Sequence, residues 1–217
     1  GGASVKDAAG VKNLSSIVHQ QQGQLIVVVS AMGKTTNLLE TLCNAYFHRD
    51  SKVPAIMKEL KDFHLNIVTS LFPLNAPVYK HLEELFINLE NILASESSLC
   101  YDYEYDRIIC FGELISTTII SDYMEMEGIE NQFIDIRKFL KTDQNYRNAN
   151  IDLELSEQLC KEAFDFNTSS TFVTQGFIAG TRTNQTTTLG REGSDYTAAL
   201  LANLLNAENV TIWKDVP

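Results

Sequence analysis

Cationic residues are scarce in this chain: 17 lysines and arginines face 28 acidic residues, for a formal charge of −11. Non-specific nucleic-acid binding needs clustered Lys and Arg, so no nucleic-acid partner is expected. The same field repels anionic substrates at long range, and any phosphate site must be built locally from backbone N–H groups and a few placed cations. Long apolar runs are also missing. The densest, LIVVV at residues 25–29, is far short of the ~20 residues that span a bilayer, so no membrane partner is expected. The first five residues have neither the basic end nor the apolar middle of a signal peptide. Cysteine is limited to positions 43, 100, 110 and 160, with no C-x-x-C pair, and no histidine stands at a zinc-like offset. These read as buried free thiols in a reduced, cytoplasmic setting. His19, His48, His64 and His81 are scattered, so no metal site is expected.

What is present is ordinary globular material, 44% hydrophobic and 21% charged over 217 residues, enough for a packed core. Ser4 with Asp7 predicts a helix N-cap, with the helix running to about residue 22 and stopped by Gly23. Residues 25–30 are a short β-branched run that predicts a strand buried on both faces. Thr36 is expected to open a helix with apolar residues at 38, 39, 42, 43, 45 and 46. Residues 53–95 predict two helices broken near 72–77, and residues 104–127 one further helix ended by Gly128. Strands are predicted at 132–136, 171–179 and 209–213, a hairpin tip at 181–185, and helices at 151–165 and 194–206. Strands alternating with helices imply an α/β fold with a mostly parallel sheet covered on both faces. Residues 36–127, with little strand signal, form a helical lobe. Ligands of such sheets bind beyond the carboxyl ends of the strands.

Five segments carry chemistry. Gly1-Gly2-Ala3-Ser4 leads into a helix, and its glycines allow close approach to an anion. Residues 30–37 (SAMGKTTN) resemble a P-loop at Gly33-Lys34-Thr35 but have Val28 where the Walker pattern needs glycine. Their hydroxyls at Ser30, Thr35 and Thr36 suit a polar small molecule, or simply cap a helix. Glu113 stands in an otherwise apolar helical stretch, 108–120, where an unpaired carboxylate is costly, so it must reach solvent, a partner or a ligand amine. Residues 186–195 (TTTLGREGSD) set a glycine-flanked Arg191 fork, able to hold a carboxylate or to sit in a surface ion pair, before a helix opening at Ser194-Asp195. The last segment, 213–217 (WKDVP), places Asp215 after a predicted strand, facing a nucleotide or marking a turn.

Taken in order, Gly1-Gly2-Ala3-Ser4-Val5, the 30–37 loop, Gly112-Glu113-Leu114, Gln175-Gly176-Phe177-Ile178, the block 188–198 (TLGREGSDYTA) and Trp213-Lys214-Asp215-Val216 resemble the aspartate kinases of the amino-acid kinase superfamily over essentially the whole chain. The resemblance implies a three-layer sandwich and transfer of the ATP γ-phosphate to the β-carboxylate of L-aspartate, giving 4-phospho-L-aspartate, with ATP and Mg²⁺ required. It implies an aspartate pocket of Ser30, Thr36, Glu113, Phe177, Arg191 and Ser194, with Glu113 on the substrate ammonium and Arg191 on a carboxylate. Gly1, Gly2, Lys214 and Asp215 would lie at the nucleotide, and Asp195 and Gly2 would be catalytic. Residues 1–217 are then a catalytic domain without the start of its first strand, the C-terminal nucleotide-binding part and the paired regulatory ACT modules; a homodimer is expected of the full-length protein. The family carries Lys-Phe before the first glycine, where this sequence opens at Gly1, and many members have glycine where Glu192 stands here. The alternatives are a related kinase acting on glutamate or acetylglutamate, or a noncatalytic amino-acid-binding domain.

Overall fold

The computed structural model describes residues 1–190 and 192–214. The first helix, α1 (Ala8–His19), is capped by Asp7, whose carboxylate accepts from the Gly10 N–H at 2.9 Å. The cap expected at Ser4 is displaced because Gly2–Val5 forms a short 3-10 turn instead. Gly10 lets the helix fold back onto that turn: a Cβ there would meet the Ser4 carbonyl oxygen at 2.4 Å. The helix ends three residues before the position expected from the sequence, ahead of Gly23 at φ +91°.

A parallel sheet of order β1-β4-β2 is formed by β1 (Leu25–Val29), β2 (Gln132–Ile134) and β4 (Thr171–Gln175), with Val29 paired to Gln175 and Ile134 to Thr174. All five residues of the central strand β4 are buried. β1 is only half-buried apart from Val29, so the expectation of a strand buried on both faces holds for β4 rather than β1. A second sheet joins β3 (Lys141–Thr142), β5 (Ile178–Thr181) and β6 (Thr186–Thr188), with β3 parallel and β6 antiparallel to β5. The single strand expected over 171–179 is thus two, broken where Phe177 takes φ +67° and turns the chain from one sheet into the other. The 181–185 hairpin tip forms as expected. Residues 209–213 are irregular and exposed rather than a strand; their apolar residues find no neighbouring strand among the described residues.

The helical block comprises α2 (Thr35–Phe47), α3 (Val53–Leu71), α4 (Val78–Ala94), α5 (Tyr101–Ile109) and α6 (Phe111–Met126). The helix expected over 104–127 is two, divided at Cys110. Most of α6 is buried on all sides, as a helix apolar all round must be. It lies across β1, β4 and β2 and packs on its outer side against α2, α3, α4 and α5. α7 (Leu153–Ala163) and α8 (Gly193–Leu204) pack together, and α8 also meets β1. The parallel sheet is therefore flanked by helices in three layers, with one continuous core. Cys43, Cys110 and Cys160 are buried free thiols, but Cys100, at the start of α5, is exposed.

Candidate active site

The carboxyl ends of β1 and β4 are stitched together where the Gly176 N–H donates to the Val29 carbonyl at 2.8 Å. Two sets of segments meet at this rim. The first surrounds the chain leaving β1. Ser116 Oγ donates to the Ser30 carbonyl at 2.8 Å, and the Gly33 N–H donates to the Gly2 carbonyl at 2.9 Å. Gly2 sits so close that a Cβ there would lie 2.5 Å from the Ala31 oxygen, and one on Gly112 would lie 2.9 Å from Ala31 Cβ. Backbone from the N-terminal turn, the β1 loop and the head of α6 is thus in van der Waals contact, which only glycine permits at these positions.

Glu113 occupies the centre of this set, in the first turn of α6 and only 3% exposed. One oxygen, Oε1, accepts from the Ala31 N–H at 3.1 Å; the other, Oε2, is buried with no hydrogen-bond partner. No cation among the described residues forms an ion pair with it. Burial pushes its pKa up to about 8, against the weaker opposing pull of the Ala31 N–H and its own backbone. A half-satisfied buried carboxylate costs folding free energy. Its chemistry is that of a receptor for a cationic donor.

The second set surrounds the break after β4. A Cβ on Gly176 would meet Ser194 Cα and Cβ at 2.6 Å, and one on Gly193 would meet Phe177 Cδ2 at 2.5 Å. Phe177 is locked on both sides of its left-handed backbone: its N–H donates to Thr197 Oγ1 at 3.0 Å, and its carbonyl accepts from Leu189 at 2.9 Å. Ser194 and Phe177 therefore lie against each other at the N-terminus of α8, where a helix favours an anion. Asp195, in the first turn of α8, lies 2.6 Å from Lys214 Nζ, and Gly1 N donates to the Trp213 carbonyl at 3.0 Å. Gly1 and Lys214 are thus brought to the end of α8 that carries Asp195.

Thr36 stands in the first turn of α2, half-buried, and does not cap it; Lys34 is the N-cap residue, with no side-chain bond. The buried Thr35 holds the loop instead, donating to the Met32 carbonyl at 2.6 Å with His64 Nε2 at 3.4 Å from the same hydroxyl. His64 is fully buried, and its pKa is lowered to about 4 by that burial. Ser30, Gly2 and Glu113 are brought together, as are Gly1, Ser194, Asp195, Phe177 and Lys214, with the Val29–Gly176 bond joining the two sets. The sites expected at Arg191 and Asp215 lie outside the described residues. No group of His, Cys, Asp and Glu able to hold a metal ion occurs among the described residues, and no described helix is long and apolar enough to cross a membrane.

Reading the sequence alone missed Asp106. It is fully buried on α5, and its pKa is raised to about 6 by burial against opposing hydrogen bonds from Arg147 and Thr188. Its Oδ2 accepts from the N–H groups of Arg147 and Thr188, each at 2.9 Å, and its Oδ1 from Thr188 Oγ1 at 2.7 Å. The stretch 101–107 alternates tyrosine with charge and reads as a solvated face, which hides this position.

The model of the "Amino acid kinase family" matches residues 1–217. The chain is 33% identical over 221 residues to the lysine-sensitive aspartokinase 3 of Escherichia coli, covering all of this chain and 48% of that protein. It thus spans about half the length of that relative. Its fold superposes on E. coli aspartokinase III in complex with lysine and aspartate (TM-score 0.89) and in complex with aspartate and ADP (TM-score 0.87). Sequence identity is 29% in both superpositions, which cover all of this chain and 48% of the other. The chain belongs to the amino acid kinase family.

Proposed function

We propose that this chain is the catalytic domain of an aspartate kinase, moving the γ-phosphate of ATP onto the β-carboxylate of L-aspartate to give 4-phospho-L-aspartate. The observation that carries this is the buried, partnerless Oε2 of Glu113 at the rim of the sheet. An α-ammonium group supplies the missing donor and the missing charge together. The aspartate and ADP complexes of E. coli aspartokinase III, on which the fold superposes, support the same pair of substrates. Arg191 in this reading holds a substrate carboxylate by its planar fork. Ser30, Thr36, Phe177 and Ser194 line the amino-acid side.

The acceptor carboxylate is already ionised at neutral pH, so its phosphorylation needs no general base. Catalysis is then positioning and charge neutralisation. Gly1 and Gly2 let the backbone approach the transferring phosphoryl group. Lys214, with Asp215 beside it in sequence, lies on the nucleotide side; Asp195 orients the Lys214 ammonium through the 2.6 Å contact. Mg²⁺ enters bound to the triphosphate, as part of the nucleotide substrate. The remainder of the nucleotide site, the regulatory modules, a homodimeric assembly and a cytoplasmic location belong to the same proposal, for the full-length protein.

A coupled ADP-release assay on the full-length protein with aspartate, glutamate, acetylglutamate and N-acetylaspartate tests the reading. Turnover is expected with aspartate and not with N-acetylaspartate, which has no ammonium for Glu113. Equal turnover of the acetylated compound would overturn it.

A further inference from the structure

Asp106 has no counterpart in the mechanism above, yet it is a fully buried carboxylate on which three donors converge. Its partners are the point. Thr188 ends β6, and the next residues in the chain are Leu189, Gly190 and Arg191. The Thr188 carbonyl accepts from Ala149 at 3.0 Å, and the Leu189 N–H donates to Phe177 at 2.9 Å. Gly190 takes φ +78°, with Asn148 Oδ1 so near that a Cβ would meet it at 2.8 Å. The strip 188–190 is therefore held from one side by the 147–149 loop, from another by Phe177, and from below by Asp106. Asp106 grips both the strip and the loop beside it, since its Oδ2 takes the N–H of each.

We infer that Asp106 is a positioning residue for amino-acid binding: from α5 it fixes the end of β6, and with it the strip 188–190 that runs on against Phe177. This rests on the proposed function. The anchor is not an ion pair. Asp102 stands one turn earlier on α5, and the Arg147 guanidinium turns away to Asp102 at 3.2 Å and over the Tyr105 ring at 4.3 Å. Tyr105, Tyr146 and Cys110 are the other titratable neighbours, while β6 itself, Thr186–Thr188, contributes only threonines. The full carboxylate charge is thus spent on two backbone N–H groups and a hydroxyl.

Removing the acceptor and neutralising it have different consequences. Asp106→Ala leaves the two buried Thr188 donors and the part-buried Arg147 N–H unpaired. Asp106→Asn keeps one oxygen for the two N–H groups and reverses the Thr188 hydroxyl bond, as protonation of the native carboxyl does.

The test uses the full-length protein with saturating Mg-ATP. Asp106→Ala is expected to raise the aspartate KM at least about tenfold, and Asp106→Asn about threefold. The kcat and the nucleotide KM should change less than about twofold. The ratio of the Asn variant's aspartate KM to that of wild type should be largest above pH 6. It should approach one below pH 6, where the wild type carries a neutral group too; any titration at Glu113 cancels in that ratio. A folded Ala variant with wild-type aspartate KM, a parallel rise in both KM values, or a ratio that does not change with pH would each overturn the inference. Should Asp106→Ala fail to fold, the Asn ratio decides. Wild-type turnover of aspartate tests the underlying function separately. Hydrogen exchange at the Thr188 and Arg147 amides, faster in Asp106→Asn, reads the anchor without any substrate.

Discussion

Two carboxylates, seven residues apart on consecutive helices, are both withdrawn from water and treated in opposite ways. Asp106 on α5 is given three donors. Glu113 on α6 is given one, and its second oxygen faces no partner. Burial raises both pKa values, to about 6 and about 8, and the smaller shift belongs to the better-bonded group. A buried charge whose valences are filled by the protein is scaffold. One whose valences are left open holds a place for something the protein does not supply.

The strongest way to break this contrast is Glu113→Gln in the full-length protein. The amide still accepts from Ala31 but carries no charge for an ammonium. Steady-state kinetics should show the aspartate KM rising by about 100-fold or more, a loss of the size expected for a charged hydrogen-bond partner. The same variant should be more stable than wild type. The folded pKa of Glu113 is raised, so the wild type loses stability as pH rises from its unfolded value of 4.5 to about 8, by up to about 5 kcal/mol. Thermal melts should therefore show the variant's advantage growing across that window and levelling off above it. An unchanged melting curve at pH 9 would mean that Oε2 has a partner in solution.

The free site sharpens the contrast by titration. On the proposed function aspartate requires ionised Glu113, so its binding is expected to expel a proton below pH 8. Calorimetric Kd values should weaken about tenfold for each unit of pH decrease from 8 towards 6, with proton uptake by the buffer. A flat profile would place the ammonium elsewhere.

How much of this was legible before the structure follows the same division. Glu113 stood out because a charge within an apolar helical run, 108–120, demands an explanation. The glycines at 2 and 193 invited close approach, but of a ligand rather than of neighbouring backbone, and the tight contacts of Gly112 and Gly176 came only with the structure. Asp106 was hidden because its neighbours are polar too; that 101–107 turns this residue inward is a fact of packing, not of composition. The break at Gly176-Phe177 was invisible for a related reason. TFVTQGFIA reads as one continuous strand, and only the tertiary bonds from Thr197 and Leu189 hold Phe177 at a positive φ. Likewise the alternation at 209–213 is strand-like, but pairing requires a neighbour.

Smaller effects test the scaffold half. Gly176→Ala should cost about 1–3 kcal/mol in denaturant melts, because the added methyl meets the Ser194 backbone rather than a mobile side-chain tip. An unaffected midpoint would mean that the start of α8 yields freely. The exposed Lys58–Asp62 pair on α3 sets the floor: Lys58→Ala should shift stability by less than about 0.5 kcal/mol, within the usual worth of a surface ion pair.

The mutual fit of Gly176 to Ser194 and of Gly193 to Phe177 makes the two turns a clasp with a tooth on each side. Whichever tooth is spoiled first, α8 must back away, and the second substitution then meets space that is already open. The two lesions should sum to less than their separate costs. A lineage that lost one of these glycines would have little left to preserve the other, so the pair should persist or vanish together.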